Sequence, residues 1–146
     1  QEAIEHIKRL AGDEACFHAP ALAKAEQTQQ KTISAYYAQG LSHPRASVRC
    51  ESLHKLGAVG VSAGEYHSLI ADTLHDSDPR VRKAALRTLK NIGDAAVKYF
   101  PEVSNLMCDP DVEVMEEARS TFSMLLMLRQ IPAARKVDAH RQHLAS

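Results

Sequence analysis

The sequence predicts an all-α protein, a right-handed α-solenoid of about three to four helix pairs, because one pattern recurs every 33 residues. Val48, Val81 and Val114 mark this step, and each is followed at i+4 by a small residue and at i+8 by a large apolar one. Positions i, i+4 and i+8 lie on one face of a helix. Upstream apolar residues keep the same step and predict a second helix in each unit: Ile33, Tyr66 and Tyr99, then Tyr37, Ile70 and Val103. No stretch alternates with period two for long enough to predict a sheet.

Composition and charge limit the class of protein. The 146 residues are 45% hydrophobic and 25% charged, which predicts one domain with a buried core. Lys+Arg and Asp+Glu balance at 18 each, so the chain as a whole has no net attraction to nucleic acid or to an acidic membrane. No apolar run is long enough to predict a membrane span.

The cysteines and the first residue of the chain allow predictions about its cellular compartment and its processing. Cys16, Cys50 and Cys108 form no close pair, and their odd number argues against a disulfide framework. We therefore expect an intracellular, reducing compartment, either cytoplasmic or organellar. The chain begins with Gln1, which predicts a processed product or a part of a longer protein, so a targeting segment could be missing from it.

The individual helices follow from the apolar pattern and from the residues between its segments. We expect helices at 2–11, 21–41, 45–57, 63–74, 79–91, 95–107, 111–129 and 133–144. Asp78 and Asp109 each precede a proline, which predicts a helix N-terminus with an N-cap carboxylate. Gly57 and Gly93 fall where a helix is expected to end in the left-handed conformation.

The quality of the repeat divides the chain into three parts. Residues 1–42 are interpreted as a degenerate N-terminal helical unit, because the step back from Val48 meets Ala15 and the pattern survives only from Ile33 onward. Residues 43–131 carry the regular repeats, and residues 132–146 are a C-terminal helix or tail.

One segment carries a family resemblance. Residues 74–89, LHDSDPRVRKAALRTL, strongly resemble the first helix of a HEAT repeat, and residues 43–57 and 109–122 are similar to it. The resemblance covers roughly residues 33–128. It implies a HEAT/armadillo-like solenoid, a fold that serves many unrelated scaffolds, and is therefore more specific for fold than for function.

The resemblance also implies contacts between repeats. In HEAT repeats the aspartate of the turn and the arginine after the valine commonly tie neighbouring units together. This predicts an inter-repeat ladder made of Arg49 and Arg82 with Asp78 and Asp111. Met115 replaces the arginine in the third unit, so we expect the ladder to end there.

Charge is distributed unevenly along the repeats, and three interpretations are open. Residues 79–93 carry five basic side chains and no acid, whereas residues 102–117 carry six acids and no base. The favoured interpretation is intramolecular complementarity between stacked units on a solvated face. The alternatives are a docking stripe for a charged partner, which would use Arg82 and Arg87, and binding of nucleic acid or microtubules. The last is the least favoured, because the chain has no Trp and this stretch has no aromatic residue for stacking.

No pattern predicts catalysis, a metal or a cofactor. The eight histidines include no HxxxH or HExxH spacing. HEAT-like di-iron hydroxylases carry His-Glu pairs at the repeat step, and the corresponding positions here lack them. Cys50 is predicted to be a plain surface thiol, although Arg49 beside it would favour a lowered pKa. Tyr37, Tyr66 and Tyr99 are predicted to pack with their hydroxyls at the rim of the core, and Tyr36 to be partly exposed.

The function that we expect is a non-catalytic protein–protein interaction or scaffold module, a subunit or fragment of a larger assembly with protein partners. Stacked second helices would supply the contact surface, at positions that face away from the core: Ser68, Asp72, Lys98, Pro101 and Asn105. The alternative is an accessory role in assembling pigment–protein complexes, because the bilin lyases contain similar short HEAT-like repeats. A further alternative is the nucleic-acid or microtubule binding by residues 79–93.

Overall fold

The computed structural model describes residues 15–130, with side chains from residue 23 onward, and this part of the chain contains helices and turns but no strand. None of the helices in the described range is long and apolar enough to cross a membrane. The predicted helices at 2–11 and 133–144 lie outside the described residues.

Six α-helices follow one another in the described range. They are α1 (Ala15–Gly40), α2 (Ala46–Val59), α3 (His67–Asp72), α4 (Pro79–Ile92), α5 (Phe100–Leu106) and α6 (Val112–Gln130). Three 3₁₀-helices join them, at Gly60–Tyr66, Thr73–His75 and Gly93–Tyr99.

The helices pair as an all-α solenoid does. The first helices α2, α4 and α6 pack side by side, and the second helices α3 and α5 with their 3₁₀ segments pack behind them. Within the described residues this gives two complete helix pairs, flanked by α1 on one side and by α6 on the other. The all-α, HEAT-like solenoid predicted from the sequence is confirmed. Its handedness, its 33-residue period, the number of three to four helix pairs and the division of the chain into three parts stay predictions.

The second helices differ from the prediction of continuous α-helices at 63–74 and 95–107. Each begins instead as a seven-residue 3₁₀-helix. Gly60 and Gly93, which occupy equivalent positions of the repeat, have φ angles of 72° and 71° and end the preceding helices α2 and α4. The tighter 3₁₀ winding then places Ala63 and Ala96 at fully buried positions. A left-handed glycine followed by a 3₁₀ segment is thus common to both complete units.

The left-handed stop predicted at Gly57 was wrong, because the helix continues past it. Gly57 is helical, and a Cβ atom there would lie 3.1 Å from Asn91 Nδ2 and 3.7 Å from Thr88 Cα. The absence of a side chain therefore lets α2 approach α4 closely. The stop is at Gly60, whereas the stop predicted at Gly93 is confirmed.

One of the two predicted helix starts is also corrected. Asp78 caps α4 as expected, because its carboxylate accepts a hydrogen bond from the Arg80 amide at 2.9 Å. Asp109 does not cap α6, which begins at Val112. The cap of α6 is Asp111, whose Oδ1 accepts from the Glu113 and Val114 amides at 3.0 and 3.1 Å. Asp111 is therefore the true equivalent of Asp78 in the next unit, at the corresponding position of the repeat.

The core follows the repeated apolar positions. Val81, Leu89 and Val114 are fully buried, as is Leu56 of the preceding unit. Phe122 is partly buried and lies against Phe100 with a centroid distance of 4.3 Å. The packing predicted for three of the tyrosines is confirmed, since they are partly buried against the core: Tyr37, Tyr66 and Tyr99. Tyr36, in contrast, is 70% exposed.

Two buried threonines join the first helices to one another. Thr88 Oγ1 donates to the Leu53 carbonyl oxygen at 2.8 Å, from α4 to α2. Thr121 Oγ1 donates to the Leu86 carbonyl oxygen at 3.3 Å, from α6 to α4. The two bonds are equivalent by the repeat, and the sequence reasoning did not identify them. They hold successive first helices in the same relative position.

Candidate functional site

Two arginines form a ladder between neighbouring units. Arg49 binds Asp76 with two hydrogen bonds, from Nε at 2.8 Å and from Nη2 at 3.0 Å. Arg82 binds Asp109 in the same bidentate way, at 2.9 Å for both bonds. The Nη1 group of each arginine donates to two carbonyl oxygens of the turn that precedes its own helix. Each guanidinium therefore ties its own turn to the next turn along the solenoid.

The predicted arginines of the ladder are confirmed, but the predicted aspartates are wrong. Asp78 and Asp111 cap helices, and Asp78 also pairs with its neighbour Arg80 at 2.8 Å. The carboxylates that reach back to the preceding unit are those of Asp76 and Asp109, which stand just before the capping aspartates. The reason is geometric: the residue before the first helical turn directs its carboxylate at the free helix amides, so it cannot also reach a neighbouring turn.

The charges of the ladder are mostly removed from water. The side chains of Arg82 and Asp109 are 14% and 5% exposed. Burial alone would raise the pKa of Asp109, but hydrogen bonds from Arg82 and the Asp111 amide hold it below its ordinary value of 3.8. At the surface, hydrogen bonds from the Arg80 side chain and amide lower the pKa of Asp78 to about 2.

Acid is expected to weaken the ladder. Because the folded-state pKa of Asp109 is below 3.8, its ionised form contributes stability above about pH 4 that is lost as the pH falls through the folded-state value. We expect the free energy of unfolding, measured by denaturant titration, to decrease as the pH is lowered from about 5 to about 2. Asp109→Asn is expected to flatten this decrease, whereas Glu65→Gln at an exposed position retains it. Equal slopes for wild type and Asp109→Asn would contradict the assignment.

The basic side chains of α4 pair with acidic residues of α6, of the turn before α6 and of the α4 N-cap. Lys83 and Glu113 lie 2.5 Å apart, and Glu117 receives Arg87 at 2.9 Å and Lys90 at 2.5 Å. With the pairs already given for the arginines at positions 80 and 82, all five basic side chains of residues 79–93 have an acidic partner. The interpretation as intramolecular complementarity is confirmed. Binding of nucleic acid or another anionic partner through this helix would compete with these pairs.

Arg82 and Arg87 were both predicted to contact a partner, but they differ in exposure and in bonding. Arg82 is buried in the ladder with Nε, Nη1 and Nη2 all hydrogen-bonded, so we assign it to the ladder alone. Arg87 binds Glu117, and 60% of its side chain remains exposed to solvent. A depression of about 360 Å³ beside it, between α2 and α4, is lined by Arg80, Lys83 and Arg87 among others, and these cations are the ones already paired.

Two cysteine side chains are described by the structure, those of Cys50 and Cys108. Cys50 is not the surface thiol that was predicted: it packs partly buried against the core, and burial raises its pKa despite the neighbouring Arg80 and Arg49. Cys108 is exposed in the turn after α5. In the part of the chain that the structure describes, no three or more His, Cys, Asp or Glu side chains are placed to hold a metal ion.

The five residues predicted to form the contact surface of the second helices are all exposed: Ser68, Asp72, Lys98, Pro101 and Asn105. They lie on α3, on α5 and on the 3₁₀ segment before α5. We call the surface that they form with the exposed residues Tyr36 and Leu69 the second-helix face. Whether it binds a partner stays a prediction.

A groove runs along the second-helix face between the C-terminal half of α1 and α3. Its volume is about 580 Å³, and its wall is mainly apolar, with Ala35, Ala38 and Leu41 from the α1 side and Tyr66 and Leu69 from the α3 side. Asp72 lies at its edge and belongs to the same lining. Such a shape can accept apolar side chains of another molecule.

Two large apolar side chains stand out of this face toward solvent. Tyr36 is 70% exposed and Leu69 is 44% exposed, and they are equivalent by the repeat. The sequence reasoning placed Tyr36 beside the packing register but missed Leu69. The 33-residue step could have identified Leu69, because it relates this residue to Tyr36, an apolar residue outside the core in the preceding unit.

Polar side chains at the next second helix complete the face. His67 Nδ1 lies 2.6 Å from the Tyr99 hydroxyl oxygen, and Lys98 Nζ lies 3.1 Å from His67 Nε2. An ammonium group can only donate, so Nε2 accepts, Nδ1 carries the hydrogen, and Tyr99 accepts from it. Burial raises the pKa of Tyr99, and the charges of Asp72 and Glu102 raise it further.

The family comparison agrees with this architecture. Residues 34–100 match the family model of HEAT repeats, from the C-terminal part of α1 to the start of α5. No curated protein and no solved structure matches the chain. HEAT repeats generally mediate protein–protein interaction or scaffolding, and proteins built from them are typically non-catalytic. The stacked helix pairs, the arginine ladder and the family match lead to one conclusion: residues 34–100 of this chain are HEAT repeats.

Proposed function

We propose that this chain is a non-catalytic protein-binding module that works as a subunit of a larger assembly, and that the second-helix face is its contact surface. The observation that supports the proposal most is the pair of exposed apolar side chains, Leu69 in the lining of the apolar groove and Tyr36, which follows the groove-lining Ala35 on α1. Large apolar and aromatic side chains beside a groove are the usual anchors of a protein interface.

The opposite surface offers less to a partner. The charged side chains of α4 and α6 are engaged with one another, and exposed ion pairs add little to affinity. On the second-helix face, in contrast, the exposed carboxylate of Asp72 is part of the lining of the apolar groove, and the Asn105 amide is exposed on the next second helix. This arrangement of an apolar centre with a polar rim favours the second-helix face as the interface. No structural feature of the described residues favours the pigment-assembly alternative, which stays a prediction.

The proposal is tested by affinity capture from the native source, with captured proteins quantified by mass spectrometry. Tyr36→Ser with Leu69→Ser is expected to reduce partner recovery by more than about tenfold, since truncating apolar anchors removes most of the binding free energy. Val112→Ser removes a side chain that is 60% exposed at the start of α6 and is expected to leave recovery unchanged. Retention of every partner by the double variant, and by alanine variants at Ser68 and Asn105, would refute the proposed face.

A further inference from the structure

We propose that the second-helix face recognises a protein segment in which a Lys or Arg side chain lies close to a large apolar side chain. The inference rests on the proposed function and specifies the chemistry of the partner. The apolar side chain enters the groove between α1 and α3, and the cation binds the exposed carboxylate of Asp72, which lines that groove, with Glu102 on the next second helix adding negative charge.

The apolar half follows from the groove. Leu69 is 44% exposed at its edge, and Leu41, which is only 7% exposed, lies in its wall. Filling the groove with an aliphatic or aromatic side chain removes apolar surface from water on both molecules.

The cationic half follows from two carboxylates that have no cation of their own. Asp72 is exposed on α3, Glu102 is partly buried on α5, and neither forms an ion pair with any described residue. Glu102 Oε2 is buried without a hydrogen-bond partner among the described residues. Glu102 Oε2 is thus an unpaired acceptor beneath the surface, and the exposed Asp72 carboxylate is the group with which a partner's guanidinium or ammonium forms a charge-assisted bond.

The surrounding charges favour a cation over an anion. Asp72 and Glu102 lie on neighbouring second helices and carry unpaired negative charge, which also contributes to the raised pKa of Tyr99. Lys98 is engaged with His67 and lies 5.5 Å from the Tyr99 ring centroid. A partner with an acidic side chain at this position would face two carboxylates, whereas a basic one complements them.

The spacing of the two halves fixes the motif. Asp72 lines the groove and also supplies the carboxylate for the cation, and it stands at i+3 from Leu69, about one turn along α3. The apolar and basic side chains of the partner must therefore lie within one helical turn, or within a few residues of extended chain. An isolated basic tract or an isolated apolar tract fits only one of the two halves.

The test uses the full chain and a phage-displayed library of random peptides about a dozen residues long. Selected peptides are synthesised with a fluorescent label, and their dissociation constants are measured by fluorescence polarisation. We expect enrichment of peptides with Lys or Arg within four positions of Leu, Ile, Met or Phe. Asp72→Asn with Glu102→Gln, which keeps side-chain shape, is expected to weaken binding by about tenfold or more, and Leu69→Ser by a similar factor. Higher salt is expected to weaken binding to the wild type more than to the double variant.

Each outcome has a defined meaning when the same variants are also used to capture native partners. Loss of peptides and partners in both the charge variant and Leu69→Ser supports the inference. Loss only in Leu69→Ser overturns the cation site but keeps the proposed face, and loss only in the charge variant overturns the apolar half. If the native partners survive both variants, the proposed function itself fails. Selection of acidic or purely apolar peptides overturns the inference, and circular dichroism of each variant shows that it is folded.

Discussion

Replacing Arg82 by methionine is expected to lower the free energy of unfolding by about 2 to 3 kcal/mol. The substitution leaves the Asp109 carboxylate, 5% exposed, without its bidentate partner. It also removes the donors to the Asp76 and Ser77 carbonyl oxygens, so the turn before α4 loses its tie to the turn before α6. The value lies at the low end for a broken buried pair because the turns are close to solvent. Urea titration followed by circular dichroism measures it.

Two control variants separate the ladder from charge in general. Arg80→Met removes a guanidinium that is 73% exposed and paired with its neighbour Asp78, and its effect is expected to be much smaller. Arg82→Met combined with Asp109→Leu removes both charges and is expected to be less destabilised than Arg82→Met alone, since no unpaired carboxylate remains. An effect of Arg82→Met no larger than that of Arg80→Met would show that the ladder contributes little.

The sequence predicted the arginines of the ladder but not their partners, and the reason is specific. Asp76 and Asp78 both recur in the next unit, as Asp109 and Asp111, so the period alone does not separate them. What separates them is the position of the first free helix amide, which assigns the second aspartate of each pair to the cap. That position depends on where the helix starts, and helix boundaries are the least certain part of a sequence-based prediction.

The glycines show the same limit. Gly57 and Gly60 are both plausible ends when α2 is considered alone, and the φ angle of Gly60, 72°, identifies the stop in the structure. The repeat contained the answer, because Gly60 lies one full repeat before Gly93 whereas Gly57 corresponds to Lys90. A comparison of glycine positions between units would have found the stop without the structure.

The candidate site was predicted in part. Exposure of the second helices at Asp72, Lys98 and Asn105 followed from the helical period, because residues opposite a known core position face outward. The groove could not be predicted, because its width depends on the distance between α1 and α3. The apolar pattern of a single helix gives no information on that distance. The unpaired oxygen of Glu102 is likewise a property of packing between second helices.

Replacing Leu89 by alanine is expected to have the largest effect on stability, about 3 to 4 kcal/mol, within the range for leucine truncation in a packed core. Leu89 is completely buried in α4, the first helix that packs against both α2 and α6. The cavity would therefore open where two units meet, and the rigid helix backbones on either side limit its collapse. Denaturant titration and thermal unfolding measure the loss.

The matched control is Leu126→Ala on α6, where the same atoms are removed from a side chain that is 37% exposed, and a cost below about 1 kcal/mol is expected. The comparison bears on the whole architecture. Since α4 also contacts the second helices, a large loss at Leu89 means that the second-helix face depends on the core of the central unit. If the two substitutions lower the free energy of unfolding equally, burial at the repeated apolar positions does not explain the stability of the stacked units.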